Sequence, residues 1–260
     1  MKMPMLAAAP MVESCCRPLV SEPRAVRDLA EPEIGAMWAL YSRYYGGTSE
    51  PLFRADLARK TDVILSRDAG GGVRGFSTIE VSRAKFEGEE IAVIFSGDTI
   101  IDHRFWAKND FAFAWLRFAA AAKSRAPGIP LYWLLIVKGH RTYRYLHVFA
   151  CRYFPAPGWG TPAREQRLID QLAGDRFGSA YHPARGIVRF PDSHGHLKPE
   201  WAAVPVNARA RPEVAYFLRR NPGYASGDEL VCLCEIAEDN MKGLTRRVFR
   251  QGLAEPHPAA

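Results

Sequence analysis

The sequence predicts a mixed α/β (α+β) fold, with a mostly antiparallel central sheet flanked by helices and a C-terminal extension. Three observations carry that expectation. Between residues 62 and 101, apolar and polar residues alternate through three segments separated by turn residues, which is the period of half-buried strands. From 109 to 126 the apolar period becomes helical. Leu131–Val137 is then a continuous apolar run, as in a strand covered on both faces.

The elements follow in order. Residues 1–21 lack apolar periodicity and contain Pro4, Pro10 and Pro18, so a loose tail is expected there, with a core over 22–155 and a C-terminal part over 156–260. Residues 24–29 read as a short strand. Glu31-Pro32-Glu33 reads as a helix start, followed by Ile34, Met37, Trp38, Tyr41 and Tyr45 at helical spacing and stopped by Gly46-Gly47. A second helix over 51–60 leads into a strand over 62–67, and the turn at 69–72 sends the chain back along 73–82. On that strand Phe76, Thr78 and Glu80 share one face, and Ser77, Ile79 and Val81 the other. Residues 91–101 form the next strand. In the helix over 109–126, Phe111, Ala114, Trp115, Phe118 and Ala122 make the apolar stripe, and Pro127-Gly128 ends it. Gly139 opens another helix running to about 152. Further on, 164–172 and 213–220 read as helices, 230–236 as a strand and 238–250 as a helix, with 174–212 looping over the surface.

Composition narrows the class. Hydrophobic residues at 48%, charged residues at 24% and a mean hydropathy of -0.19 match soluble globular chains and exclude both a disordered chain and a membrane bundle. The longest apolar runs are far shorter than a spanning helix needs. Five cysteines without framework spacing, after a short proline-broken start, point to reduced thiols in a cytoplasmic protein. Cys232 and Cys234 alternate onto one strand face as small buried residues. His182, His194 and His196 match no zinc spacing, so no metal is expected. The formal charge of +7 resides in one window: residues 102–154 hold nine Lys and Arg against Asp102 and Asp110 alone, and the rest of the chain balances. Such a field suits a phosphate-bearing or acidic partner; the plain alternative is a solvated basic face. No nucleic-acid-binding module signature accompanies Tyr132, Trp133, Tyr143 and Tyr145, so nucleic acid is not the expected partner.

Three stretches carry a family resemblance over about residues 24–155. They are Val73-Arg74-Gly75-Phe76-Ser77-Thr78 on one strand, residues 94–101 on the next, and His103-Arg104-Phe105-Trp106-Ala107-Lys108-Asn109 leading into a helix. With the order of elements, these resemble the GNAT (GCN5-related N-acetyltransferase-like) acyltransferase superfamily, of which the chain looks like a divergent member. The resemblance implies an N-acyltransferase that moves an acyl group from a pantetheine thioester, as acyl-CoA or on an acidic acyl carrier protein, to a primary amine of a small molecule or protein. It places the thioester along Ser96, Gly97 and Thr99, and the diphosphate at Arg104, Phe105, Trp106, Ala107, Lys108 and Asn109, with Ala107 and Asn109 standing where the family has glycines. The C-terminal part would complete the sheet and cover the acceptor side.

For the base, a carboxylate or imidazole near neutral pKa is needed; Asp98 is the first candidate, with Glu80 and His103 next. Gly97 inside a strand suggests a bulge that frees a backbone N–H for the oxyanion. The family's thiolate-protonating tyrosine would fall on Phe149, counting back five from Phe154. Tyr145, one turn earlier on the same face, and Tyr143 are the candidate substitutes, against a reading in which both only pack. Phe105, Trp106, Phe111, Trp115, Trp133 and Phe149 either line a pocket for a longer acyl chain or pack the sheet against its helices. The alternative function is a non-catalytic GNAT-like binding protein for an acyl thioester, a carrier protein or another acidic ligand, which Phe149 and the missing glycines favour.

Overall fold

The computed structural model describes residues 19–106 and 108–255. The expected tail over 1–18, and Ala107, lie outside the described residues. In chain order the elements are β1 Val20–Ala25, α1 Glu31–Tyr44, β2 Tyr45–Gly46, α2 Glu50–Leu57, β3 Asp62–Arg67, β4 Val73–Phe86, β5 Glu89–Ile101, α3 Asp110–Ser124, β6 Leu131–Val137 and α4 His140–Phe149. They continue with α5 Ala163–Phe177, β7 Tyr181–His182, β8 Ile187–Val188, β9 His196–Leu197, α6 Pro199–Ala202, α7 Val206–Arg209, α8 Pro212–Arg220, β10 Glu229–Glu235 and α9 Gly243–Ala254.

Eight strands form one sheet in the order β1-β3-β4-β5-β6-β10-β8-β7, and β2 pairs with β9 in a separate ribbon. Every neighbouring pair in the large sheet is antiparallel except β5 and β6. The mixed, mostly antiparallel architecture expected from the alternation is therefore present. Local chemistry sets the turns. The β3–β4 turn is held by Asp68 Oδ1, which accepts from the amides of Gly70 and Gly72 at 3.0 Å each. The β4–β5 hairpin turns on Glu87-Gly88, both at positive φ, as a two-residue hairpin loop requires.

Strand alternation divides the core between the two faces. Ala92, Ile94, Trp133 and Leu135 point towards α3, α4 and α9. Ile91, Val93, Phe95 and Leu134 point the other way, towards α5. Further along that second face, Val63, Leu65, Phe76 and Ile100 pack under α1 and α2. Two irregularities then shape the middle of the sheet. Ser77 pairs with Thr99 but Ile79 pairs with Ser96, so Gly97 and Asp98 together oppose Thr78 in a β-bulge. The parallel pairing of β5 with β6 ends at Ser96 and Leu135, although β5 continues to Ile101 and β6 stays paired with β10 to Val137. The two strands separate directly after the bulge.

Several boundaries differ from the expectation. The first strand covers Val20–Ala25, not 24–29; it is an edge strand, which tolerates Pro23, and a 3-10 turn at Val26–Asp28 follows it. The segment 174–212 is not simply a surface loop: it supplies β7 and β8 to the sheet and β9, α6 and α7 beyond it. Strands of two residues carry no readable period. The last helix begins at Gly243, after a 3-10 turn at Glu238–Asn240.

Gly97 is required by close approach. A Cβ there would lie 2.7 Å from Thr78 Oγ1 and 2.9 Å from Lys60 Cε, both on buried residues. Gly97→Ala is expected to cost about 1–3 kcal/mol in urea unfolding, the usual range for overpacking. The Thr78 hydroxyl is buried with no hydrogen-bond partner, so Thr78→Ala alone costs less than that and, combined with Gly97→Ala, restores part of the loss. Strictly additive effects would show that the two positions do not collide.

Candidate functional site

The separation of β5 from β6 opens onto a cavity of about 630 Å³. Three helix starts converge on it: Lys108 and Asn109 before α3, residues 139–142 at α4, and residues 242–245 at α9. Their N-cap residues, Asn109, Gly139 and Lys242, make no side-chain cap hydrogen bond, which leaves first-turn amides and the positive dipole ends without a side-chain acceptor. Lys108, Arg141, Arg144, Arg211 and Lys242 line the same space, and no Asp or Glu does among the described residues. Arg141 lies over the Trp106 ring at 4.0 Å and donates to the Trp201 carbonyl. Arg144 is drawn to Glu213 at 3.2 Å, and Lys242 donates to the His147 carbonyl. Burial pushes the His140 imidazole down to about 4, so the ring is neutral at neutral pH.

Thr99 and Tyr145 line the same cavity. Burial pushes the Tyr145 phenol up to about 12, which keeps it protonated, and its hydroxyl has no hydrogen-bond partner among the described residues. Behind them, the Trp115 and Trp133 rings lie tilted against each other with centroids 4.2 Å apart, and Phe149 closes on both at about 6 Å. Only about 20 Å³ remains between these rings and Thr99, hardly more than one water needs.

Asp98 follows the bulge and points to the opposite face from Thr99, as strand alternation demands. Around it lie Asp56, Lys60, Lys138, Tyr41 and Tyr45. Lys60, almost fully buried, binds Asp56 at 2.8 Å. Lys138 pairs with Glu229 at 3.4 Å and donates to the His194 carbonyl. Asp98 itself has no hydrogen bond or ion pair among the described residues. It is enclosed by protein while keeping part of its surface open. Burial pushes its carboxyl up to about 6, against the pull of Lys138. Burial likewise raises Glu229 to about 7. Tyr45 lines the cavity and also lies in range of Asp98, so cavity and recess adjoin across the bulged strand.

The structure thus brings Asp98, Gly97, Thr99, Tyr145, Trp106, Lys108 and Asn109 to this centre. Other expected positions are engaged elsewhere. Tyr143 is fully buried and donates to the Pro155 carbonyl at 2.7 Å; it is a core residue, not an acid facing the cavity. The Ser96 hydroxyl accepts from Trp133 Nε1 at 2.9 Å inside the core. Arg104 forks onto the buried Asp102 at 3.0 and 2.7 Å and does not line the cavity, and Phe105 is buried. Glu80 is held by Arg176 at 2.6 Å, and His103 bonds the Tyr44 hydroxyl at 3.0 Å, so neither is positioned as Asp98 is. The rings of Phe111, Trp115, Trp133 and Phe149 pack the sheet against its helices, with only about 20 Å³ left among them.

Sequence reasoning passed over Tyr45, Lys60, Lys138 and Glu229 in the recess, and Arg211 and Lys242 in the cavity. Only Lys138-Gly139-His140, straight after the apolar strand, carried a local signal. No three His, Cys, Asp or Glu side chains among the described residues group as a metal site, and His194 instead stacks on Phe190 at 3.8 Å. No described helix is long and apolar enough to cross a membrane.

No family model and no curated protein matches the chain. Among solved structures, a GNAT-family N-acetyltransferase from Escherichia coli in complex with CoA aligns at 14% identity and TM-score 0.35, covering 51% of this chain and 69% of the other. A conserved protein of unknown function from Enterococcus faecalis aligns at 11% identity and TM-score 0.39, over 61% and 43% of the two chains. A glucosamine N-acetyltransferase region of a fungal multi-domain β-N-acetylglucosaminidase aligns at 12% identity and TM-score 0.33, over 62% of this chain and 17% of the other.

The electrostatics of Asp98 make a stability signature. Its folded pKa, about 6, exceeds the ordinary 3.8, so between about pH 4 and 6 the folded chain keeps a proton that the unfolded chain has released. Stability from this group falls as pH rises through that window and stays reduced above it. Asp98→Asn is therefore expected to melt at a higher temperature than the parent at pH 8 and at about the same temperature at pH 4. A lower melting point at both pH values would mark Asp98 as a structural residue.

Proposed function

We propose that the chain is an N-acyltransferase of the GNAT kind, with a pantetheine thioester in the cavity and an amine acceptor at Asp98. One observation carries this reading: an acid-free basic cavity fed by three helix starts adjoins, across one bulged strand, a half-buried carboxylate that lacks a partner among the described residues. The cavity suits a phosphate-bearing donor, because uncapped amides, dipole ends and cations all favour negative charge. The recess suits an ammonium group, whose charge Asp98 matches.

The reaction then needs only groups already in place. Asp98, poised near neutral, takes a proton from the ammonium, and the freed nitrogen attacks the thioester carbonyl. The bulge opposes two residues to one, so an amide at Gly97 or Asp98 loses its ladder partner and is available to the oxyanion. A C–N bond forms and the C–S bond breaks. As the adduct collapses, the attacking nitrogen passes its second proton to solvent, the departing thiolate accepts the hydroxyl proton of Tyr145, which solvent restores, and the acyl group leaves as a neutral amide. The packed rings behind Thr99 favour a short acyl group. Ala107 and Asn109 in place of loop glycines, and Phe149, support the second reading, a non-catalytic binder of the same thioester.

Thiol release from acetyl, octanoyl and palmitoyl donors, each as CoA and as carrier-protein thioester, tests the proposal. Acetyl is expected to turn over fastest; donor binding without thiol release on any amine would leave the binder. Lys108→Ala combined with Arg211→Ala is expected to weaken donor binding roughly thirtyfold at low salt, each cation contributing on the order of 1 kcal/mol, and less at high salt. Calorimetry showing no change would place the donor elsewhere. Tyr145→Phe is expected to lower turnover at least tenfold with donor affinity intact, and equal turnover would remove the phenol from the mechanism.

A further inference from the structure

The mouth of the cavity carries more apolar surface than an anion-binding pocket needs. Among the described residues few large apolar side chains stand open to solvent; Trp106, Val148 and Leu244 are at this one opening, and Val206 is next to it in the chain. They are 36%, 48%, 86% and 53% exposed. Trp106, Val148 and Leu244 line the cavity directly, while Val206 stands between Pro205 and Asn207, which do. They come from four separate parts of the chain: the segment before α3, the end of α4, α7 and the start of α9. Interleaved with them are Lys108, Arg141, Arg144, Arg211 and Lys242, and no acid among the described lining residues.

Resting on the donor reading above, we infer that this rim is a docking surface for an acidic carrier protein that delivers the thioester on a phosphopantetheine arm. Charge complementarity selects the partner: a ring of cations without acids steers an acidic surface to the opening. The apolar residues decide between the two sources of the same arm. A free nucleotide thioester is strongly anionic and hydrophilic at its exposed end, and would leave Val206, exposed and outside the cavity lining, uncovered. A protein helix with apolar residues among its acids covers both kinds of side chain at once, as interfaces with an apolar centre and a charged margin do. The departure from glycine at Ala107 and Asn109 in the sequence agrees, since an arm with a single phosphodiester needs fewer backbone amides than a diphosphate does.

Calorimetry on the full chain with four probes separates the possibilities: CoA, pantetheine, an acidic acyl carrier protein carrying the phosphopantetheine arm, and the same carrier without the arm. The armed carrier is expected to bind at least tenfold more tightly than CoA, with an affinity that falls steeply as salt rises, and the armless carrier weakly but measurably. Val206→Glu, at a position exposed enough to leave folding intact, is expected to weaken the armed carrier at least tenfold and to change CoA and pantetheine binding less than twofold. CoA binding as tight as the carrier, or a Val206→Glu effect equal on both, overturns the docking surface and leaves the donor cavity standing. Failure of CoA, pantetheine and carrier alike overturns the donor cavity itself, and the docking surface with it.

Discussion

Everything at the centre of this molecule depends on one backbone constraint, the extra residue that β5 carries opposite Thr78. Without it, β5 would continue in register with β4, and Asp98 would stand one position out of phase. A single-residue slip in a strand exchanges the faces of every side chain beyond it. The bulge therefore decides that Thr99 meets the helices of one face while Asp98 meets α1 and α2 on the other. Gly97 is what permits the approach, because Thr78 and Lys60 already occupy the volume that a side chain would take. The β5–β6 ladder ends at Ser96, the last residue before the bulge, while the other edge of β6 stays paired with β10 to Val137.

The charge distribution is sorted across that strand. On the cavity side, cations outnumber acids, and those with partners hold carbonyls, a ring face or the single carboxylate of Glu213. On the recess side, Lys60 and Lys138 are each matched by a carboxylate. The separation also explains why the basic window of the sequence is only part of the answer. Lys123 bonds the carbonyl of Ile129 at the far end of α3, and Arg117 pairs with Glu255, so these members of the window serve the scaffold. Arg211 and Lys242, outside the window, complete the cavity in their place.

What could be read in the sequence follows the range of the interactions involved. The sheet, its alternating faces and the position of the bulge are local, and they were legible: periods of two and 3.6 residues need no tertiary knowledge, and a glycine within a strand marks its own irregularity. The difference between Tyr143 and Tyr145 was half legible. Helical spacing puts Tyr145 with Phe149, but only the packing of α8 shows that Tyr143 is enclosed against Phe217. Arg104 was misread although its partner stands two residues away, because a run of cations drew attention from Asp102, which has no exposed surface and holds the guanidinium. Ser96 was lost to Trp133, a neighbour across a parallel ladder that no local pattern announces. The recess was the least legible. Lys60, Lys138 and Glu229 meet only because α2, β6 and β10 close on β5 in three dimensions.

The recess also explains why the chain keeps an arrangement that costs stability. Asp56 faces Lys60, and Glu229 faces Lys138, so each buried cation already has a carboxyl group beside it when Asp98 is added. An enclosed carboxylate with neither ion pair nor hydrogen bond is expensive, and burial raises its pKa as the physical expression of that cost. Fold stability alone gives no reason to prefer Asp98 over an apolar residue of similar size. The cost has a use if a positive charge arrives from outside. The recess then has one negative charge to spare, and the cavity on the other side of β5 has several positive ones. Under the proposed reading, the two substrates are sorted to opposite faces of one strand by the sign of their charge, and Gly97 is where the faces come nearest. A cationic acceptor in the cavity would meet only like charge, and an anionic donor in the recess would meet three carboxyl groups against two lysines, so the same imbalance that weakens the fold specifies which molecule occupies which side.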